Sequence, residues 1–301
     1  MGKGVSDGGH VRTLLYDKYI RYLFIAAAML VTVIILAIIV FVGRQGLLTF
    51  QDVSPLEFFF GAKWDPPNKF GAFSFISGSL AVTVMAILIG GPLGLAGAVF
   101  MAKIAPSWVR DIMRPATDLY VAIPSVVYGF IGLTVLVPLI RTTFHTKTGF
   151  GLLAAGIVLA IMILPTVISI SEDAIRSVPK SLEEASLALG ATRWQTIWRV
   201  IIPAAIPGIL ASIILAMARA VGETMAVQML IGNTPQIPLS LMTPTSTLPS
   251  EIVVEMGNTP FGSTWNNALF LMALVLLVIS LLMILAVRHI ARKNTMNVSN
   301  A

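Results

Sequence analysis

Residues 181–203 read SLEEASLALGATRWQTIWRVIIP, a polar, charge-bearing stretch set between long apolar runs. Two helix starts are written into it. Ser181 with Glu184, and Thr192 with Gln195, each place a hydroxyl three positions before a side chain that can bond back to it. This is the pattern of a capping box, which satisfies orphan N–H groups. Gly190 predicts a left-handed residue that ends the first helix and turns the chain into the second, and Pro203 predicts the end of the second. The expected product is a compact helix-turn-helix. Leu182, Ala185 and Leu189 recur at helical spacing with the small Ser186 and Ala188 among them, a surface that permits close approach by a partner. One reading is a docking surface for another protein, and the other is a loop packed on its own bundle.

What flanks this stretch sets the class. Of 301 residues, 56% are hydrophobic and 11% charged, against about 25% charged in ordinary soluble domains. The expectation is an all-α integral membrane protein. A net charge of +6 invites thought of nucleic acid, but the basic residues alternate with the apolar runs, which reads as topology and leaves no nucleic-acid patch. The chain has no cysteine. His10, His145 and His289 lie in separate segments, so neither a metal nor another cofactor is expected. A phosphate loop of the form Gly-x-x-x-x-Gly-Lys-Ser/Thr is absent, so ATP binding through such a loop is not expected of this chain.

Taken in order, residues 1–21 read as a polar arm and 22–42 as an uncleaved first span, whose length is roughly 31 Å as a helix. An outer loop, 43–73, carries Trp64-Asp65-Pro66-Pro67 and Phe70-Gly71, turn-forming and interfacial residues. A core of five helices, 74–288, follows, and a tail, 289–301. Within the core the second span is interrupted by Gly90-Gly91-Pro92 and Gly94, which predicts a kink with close packing. Span three, about 118–140, holds Pro124-Ser125 and Gly129. Discontinuous helices line transport sites, which makes Ser125 a pathway candidate, with an ordinary kink as the alternative. Glu172 and Asp173 end span four and read as a solvated helix end. Span five, about 204–231, is followed by a proline-rich outer loop, 232–264, in which 250–256 is expected to form a short surface helix. Fourteen of the 20 Lys and Arg fall in the inferred inner segments, five in outer loops, and Arg219 within a span. That bias predicts six spans with both termini cytoplasmic.

Arg219 and Glu223 are the most expensive residues in the sequence. A charge near the bilayer centre costs on the order of 2.5–3.5 kcal/mol by insertion scales and normally faces a cavity or a partner. On a continuous helix Glu223 sits one turn beyond Arg219 on the same face. Either the two pair internally and fix helix packing, or they serve a substrate. An arginine fork matches an oxyanion, and a neighbouring glutamate suits an anion that carries a proton to donate, as hydrogen phosphate does and sulfate does not.

The run Ala218-Arg219-Ala220-Val221-Gly222-Glu223-Thr224-Met225-Ala226-Val227 resembles the fifth span of PstC-type permeases of bacterial phosphate ABC importers, and Met225-Ala226 separates it from the PstA type. Glu184-Ala185-Ser186, Gly190, then Val200, Ile202 and Pro203 resemble the cytoplasmic signature of ABC importer permeases, with Ser186 in place of alanine. Ile123–Gly129, 160–165 and 232–241 add to the likeness, which covers nearly the whole chain past its first residues. The resemblance implies a type I ABC importer permease in the bacterial inner membrane. It implies a PstA-type permease, two ATP-binding subunits and an extracytoplasmic phosphate-binding protein as partners, with ATPase activity on the partner subunits. It also implies inorganic phosphate on a pathway through Arg219, Glu223 and Ser125, and ATPase coupling through Glu184, Ala185, Gly190, Thr192 and Arg193. The rivals are a permease for another oxyanion such as sulfate or molybdate, a membrane enzyme, for which no clustered catalytic groups are evident, and an ion-gradient carrier, which would leave 181–203 without a purpose.

Overall fold

The computed structural model describes the backbone of residues 7–299 and the side chains of residues 18–289. Residues 1–6 of the expected arm, with Lys3, the side chains of His10 and Arg12, and the tail side chains beyond His289 lie outside the described residues. Among the described residues, six helical stretches are long and apolar enough to cross a membrane: Lys18–Gln51, Phe73–Ile104, Ser125–Thr143, Leu152–Arg176, Arg193–Val221 and Thr264–His289. The first belongs to α1 (Asp7–Leu47), which is helical from within the expected arm onward.

The core is built on α3 (Phe73–Val99), which packs along α7 (Leu152–Arg176), with α10 (Ile202–Val221) against both. Small residues set the spacing. A methyl on Gly90 would meet Ile163 Cγ1 at 2.8 Å and one on Gly94 would meet Val167 Cβ at 2.7 Å, so α3 and α7 touch nearly backbone to backbone. Close approach of this kind drives association where lipid removes the hydrophobic incentive. The expected Gly-Pro interruption therefore serves packing: α3 is helical throughout, with Pro92 inside it.

Span three differs from expectation. The chain leaves the helical conformation at Ile123 and Pro124, which separates α4 (Ser107–Ala122) from α5 (Ser125–Ile131). Proline disfavours the α-region for the residue before it, and here Ile123 is extended, so residues 118–122 belong to another helix. Span five is also in two pieces, α10 and α11 (Met225–Ile231), parted at Gly222, Glu223 and Thr224.

Three π-helical turns among the described residues share one placement. Phe100–Ile104, Gly132–Leu136 and Ile197–Ile201 each stop two residues before a proline, Pro106, Pro138 and Pro203. The residue before each proline bonds five positions back: Ala105 to Phe100, Val137 to Gly132, Ile202 to Ile197. At Pro138 and Pro203, which stand inside continuing helices, widening the turn accommodates a ring that would clash with the carbonyl four residues earlier, a fault that costs about 3 kcal/mol in a regular helix; at Pro106 the chain has already left the helix at the extended Ala105. After the second π-turn the helix continues as α6 (Val137–Thr143). For the same reason Pro203 does not end the helix begun at Arg193, contrary to expectation, and the chain runs on into α10.

At one end of the bundle, residues 43–73 form a 3-10 turn, α2 (Pro55–Phe60) and a two-stranded hairpin of β1 (Trp64–Asp65) and β2 (Lys69–Phe70), in register Trp64 to Phe70. They share a core with α12 (Leu248–Met256) and the start of α13 (Thr264–Ser299). The helix expected near 250–256 is thus α12, but its first turn is buried. The opposite end carries α8 (Lys180–Ala188) and α9 (Arg193–Thr196).

Gly94→Ala is expected to destabilise the purified protein by about 1–3 kcal/mol, because Val167 cannot move without disturbing α7. Gly257→Ala, at an open position with φ −71°, is expected to leave the thermal midpoint unchanged; melting curves of the two variants in detergent check this.

Candidate functional site

At the α8 end the sequence pattern is half realised. Thr192 and Gln195 form a reciprocal capping box, the Thr192 amide donating to Gln195 Oε1 at 2.9 Å. Gly190 is left-handed at φ +82°, and a methyl there would meet nothing within 4 Å, so conformation alone selects glycine. The Ser181 box does not form: α8 starts at Lys180 behind Pro179, which occupies the capping position with no side-chain bond, and Ser181 falls inside the helix. Two contacts fix the resulting unit. Lys103 Nζ lies 2.6 Å from Glu183 Oε2, tying α8 to the foot of the second span, and the Ser186 and Thr196 hydroxyls are 3.0 Å apart, joining α8 to α9. Glu184, Ala185, Thr192 and Arg193 stand on this unit. Leu189 is 90% exposed, and the paired rings of Trp194 and Trp198, 5.6 Å apart, are also exposed.

In mid-bundle the two broken spans meet. α5 lies along α11: a methyl on Gly129 would meet Ala226 Cα at 3.0 Å, and one on Gly132 would meet Leu230 at 2.9 Å. The two pairs advance together, so the half-helices run in the same direction. Ser125 opens α5 and Glu223 stands two residues before α11, which sets both breaks side by side. Each break has a device that satisfies freed backbone. The buried Tyr128 hydroxyl donates to the Tyr120 carbonyl at 2.7 Å, spanning the Pro124 gap. Glu223 Oε1 accepts the Ala226 amide at 3.2 Å and so caps α11. Because the helix is interrupted, Glu223 is not one turn beyond Arg219 on a shared face. Arg219, in the last turn of α10, is half-buried, lies within electrostatic reach of the Tyr128 hydroxyl, and forms no ion pair among the described residues.

Sequence reasoning missed a third cluster. Glu172, expected in solvent, is 2% exposed. Its Oε1 accepts from Arg176 at 2.7 Å and from Arg114 Nε at 3.2 Å, while Arg114 also reaches Asp173 at 3.3 Å. Arg176 further donates to the Met101 carbonyl at 3.4 Å. One carboxylate thereby binds α4, α7 and the first π-turn. The i,i+4 spacing of Glu172 and Arg176 was a signal available in the sequence; the reach of Arg114 from α4 was not.

The model of the family described as "Binding-protein-dependent transport system inner membrane component" matches residues 94–295. The probable ABC transporter permease protein YqgH of Bacillus subtilis is 50% identical over 91% of this chain and 90% of its own length. The phosphate transport system permease protein PstC of Mesorhizobium japonicum is 36% identical over 88% of this chain and 86% of its own. Among solved structures, a chain of a bacterial ABC transporter involved in import of the acidic polysaccharide alginate superposes with TM-score 0.63 at 17% identity, covering 93% of this chain and 98% of that one, a likeness of fold alone.

Glu172→Ala is expected to remove the acceptor shared by Arg114 and Arg176 and lower stability by about 1.5–3 kcal/mol, the worth of hydrogen bonds to a charged group. Asp173→Ala, at an exposed carboxylate, is expected to cost under about 1 kcal/mol. Thermal unfolding of both variants tests the contrast.

Proposed function

The chain belongs to the binding-protein-dependent transport system inner membrane component family, and on that footing we propose that it is the permease subunit of an inorganic phosphate importer. In this reading both termini are cytoplasmic, the α8 end faces ATP-binding subunits in the cytoplasm of a bacterial inner membrane, and the α12 end faces an extracytoplasmic phosphate-binding protein. A PstA-type permease completes the pathway. Relatives named as phosphate permeases support the substrate.

The observation that carries the site is Arg219: an arginine without a carboxylate partner among the described residues, at the mouth of a broken span and beside a second broken span. A permanent charge at that depth demands an anion, and its planar fork fits phosphate oxygens. Ser125 offers a hydroxyl at the neighbouring break. Movement starts at the other end. Closure of the ATP-binding subunits displaces α8 and α9, joined by the Ser186–Thr196 contact, with Lys103–Glu183 tying α8 to the foot of the second span. The helix running from Arg193 into α10 carries that displacement to Arg219 without a loop to absorb it. The site alternates between the two sides and binds weakly enough to release its ion.

Glu223 has two roles open to it. As the acceptor of a hydrogen bond from hydrogen phosphate, and by repelling the unprotonated anion, it discriminates against sulfate; as the cap of α11 it only holds the break. Its contact with the Ala226 amide favours the second.

In cells lacking this chain and supplied with variants at matched membrane levels, Arg219→Gln is expected to cut labelled-phosphate uptake roughly ten- to hundredfold, the equivalent of about 1.5–3 kcal/mol. Undiminished uptake would remove Arg219 from the pathway. Recovery of sulfate instead of phosphate uptake by the unaltered chain would overturn the substrate. Glu223→Gln keeps a capping oxygen and drops the charge. An unchanged phosphate-to-sulfate ratio assigns Glu223 to the cap, and a reduced ratio assigns it to discrimination.

A further inference from the structure

The middle of the loop between the fifth and sixth spans, 245–251, is buried, although residues on either side of it, such as Leu239 and Phe261, are exposed. Thr245, Ser246, Thr247, Leu248 and Ser250 are each at most 1% exposed, and the segment rests directly on α3. A methyl on Gly78 would overlap the Ser246 carbonyl oxygen, and Ser79 Oγ accepts the Leu248 amide at 2.8 Å. α12 is therefore a lid seated by its first turn.

A carboxyl group sits in that seat. Glu251 is 5% exposed and accepts from the Ser246 hydroxyl at 2.7 Å, with Glu255 one turn further along. Glu255 is itself fixed in place, taking the Trp64 indole N–H at 3.0 Å and the Trp265 indole N–H at 2.7 Å. Among the described residues no cation relieves the pair. The outer parts of α3 and α13, and all of α11, bring no charged side chain, and 232–264 contains no Lys or Arg. The hairpin and the chain before it bring Asp52, Glu57, Lys63, Asp65 and Lys69. Of these, Lys63 faces Asp65 and Asp52 takes the Thr264 hydroxyl, and none pairs with Glu251 or Glu255.

We propose that Glu251 is a proton-binding site on the α12 lid: with this carboxyl protonated the lid is seated on α3, and loss of the proton beside the Glu255 carboxylate loosens it. The ligand is the proton of the medium at the α12 end, which under the topology above is the extracytoplasmic one. Burial pushes the Glu251 carboxyl up to about 7; the Ser246 hydroxyl opposes this and the neighbouring Glu255 adds to it. A carboxyl held above its usual range favours the seated state while protonated, and the advantage disappears as pH rises through that value.

Hydrogen–deuterium exchange of the α12 amides in the assembled transporter, corrected for intrinsic rates, tests this without reference to the substrate. Its outcome is therefore separate from the phosphate assignment. Protection of 248–256 is expected to fall about tenfold between about pH 6 and pH 8 in the unaltered chain, and to stay level in Glu251→Gln, which keeps the shape and loses the titration. Equal pH dependence in both proteins, or none in the unaltered chain, overturns the proposal. Should Glu251→Gln fail to accumulate, Glu255→Gln provides the second test: removing the adjacent charge is expected to move the midpoint to lower pH, and an unmoved midpoint overturns the proposal.

Discussion

A helix that crosses a bilayer must satisfy its own backbone, since each unpaired polar group in hydrocarbon costs several kcal/mol. Everything distinctive in this protein follows from two places where that rule is suspended. Spans three and five are interrupted at Pro124 and at Gly222–Thr224, and both interruptions persist because a side chain takes up freed backbone. The Tyr128 hydroxyl engages the Tyr120 carbonyl across one break, and the Glu223 carboxylate engages the Ala226 amide across the other. Placing the two breaks side by side gathers polar groups at one depth and leaves Arg219 there without a counter-charge among the described residues. Bringing α5 and α11 together depends in turn on Gly129 and Gly132, where side chains would hold the half-helices apart.

The rest of the bundle is arranged to make those breaks tolerable and to hold them in one frame. The Gly90 and Gly94 contacts lock α3 to α7 as a rigid spine. The π-turn ahead of Pro203 absorbs a ring that would otherwise cut the helix, so that residues 193–221 remain one continuous helix from the α8 end to Arg219. Glu172, held between Arg114 and Arg176, anchors α4, the helix that leads into the Pro124 break. A buried ion cluster of this kind contributes little net stability, since desolvation offsets the attraction. Its effect is to specify position.

Some of this was legible in the chain and some was not. Gly190, Thr192 and Gln195 announced the turn between α8 and α9 correctly because capping is decided by residues three or four apart. Pro124 announced a break for a similar reason, although apolar character alone extends span three through it to near 118. The Ser181 box failed because Pro179 already held the start of the helix. Glu223 was misplaced because a helical face presumes an unbroken helix, and Gly222 with Thr224 did not by themselves reveal the interruption. Glu172 and the seat of α12 escaped notice because their partners are distant: Arg114 lies 58 residues from Glu172, and Ser79 lies 169 from Leu248.

The sequence by itself determined six spans, the family resemblance and the presence of an arginine too deep to be ornamental. Each rests on composition or on spacing within a few residues, where hydropathy and capping chemistry act along the chain. Only the tertiary structure decided that the two broken spans lie against each other, that Arg219 and Glu223 do not pair, and that an apparent surface helix buries its first turn, with the carboxyl of Glu251, against α3. These follow from which glycines meet which helices and which polar groups close each other's hydrogen bonds across the bundle. Such pairings are three-dimensional, and no local pattern in the chain encodes them.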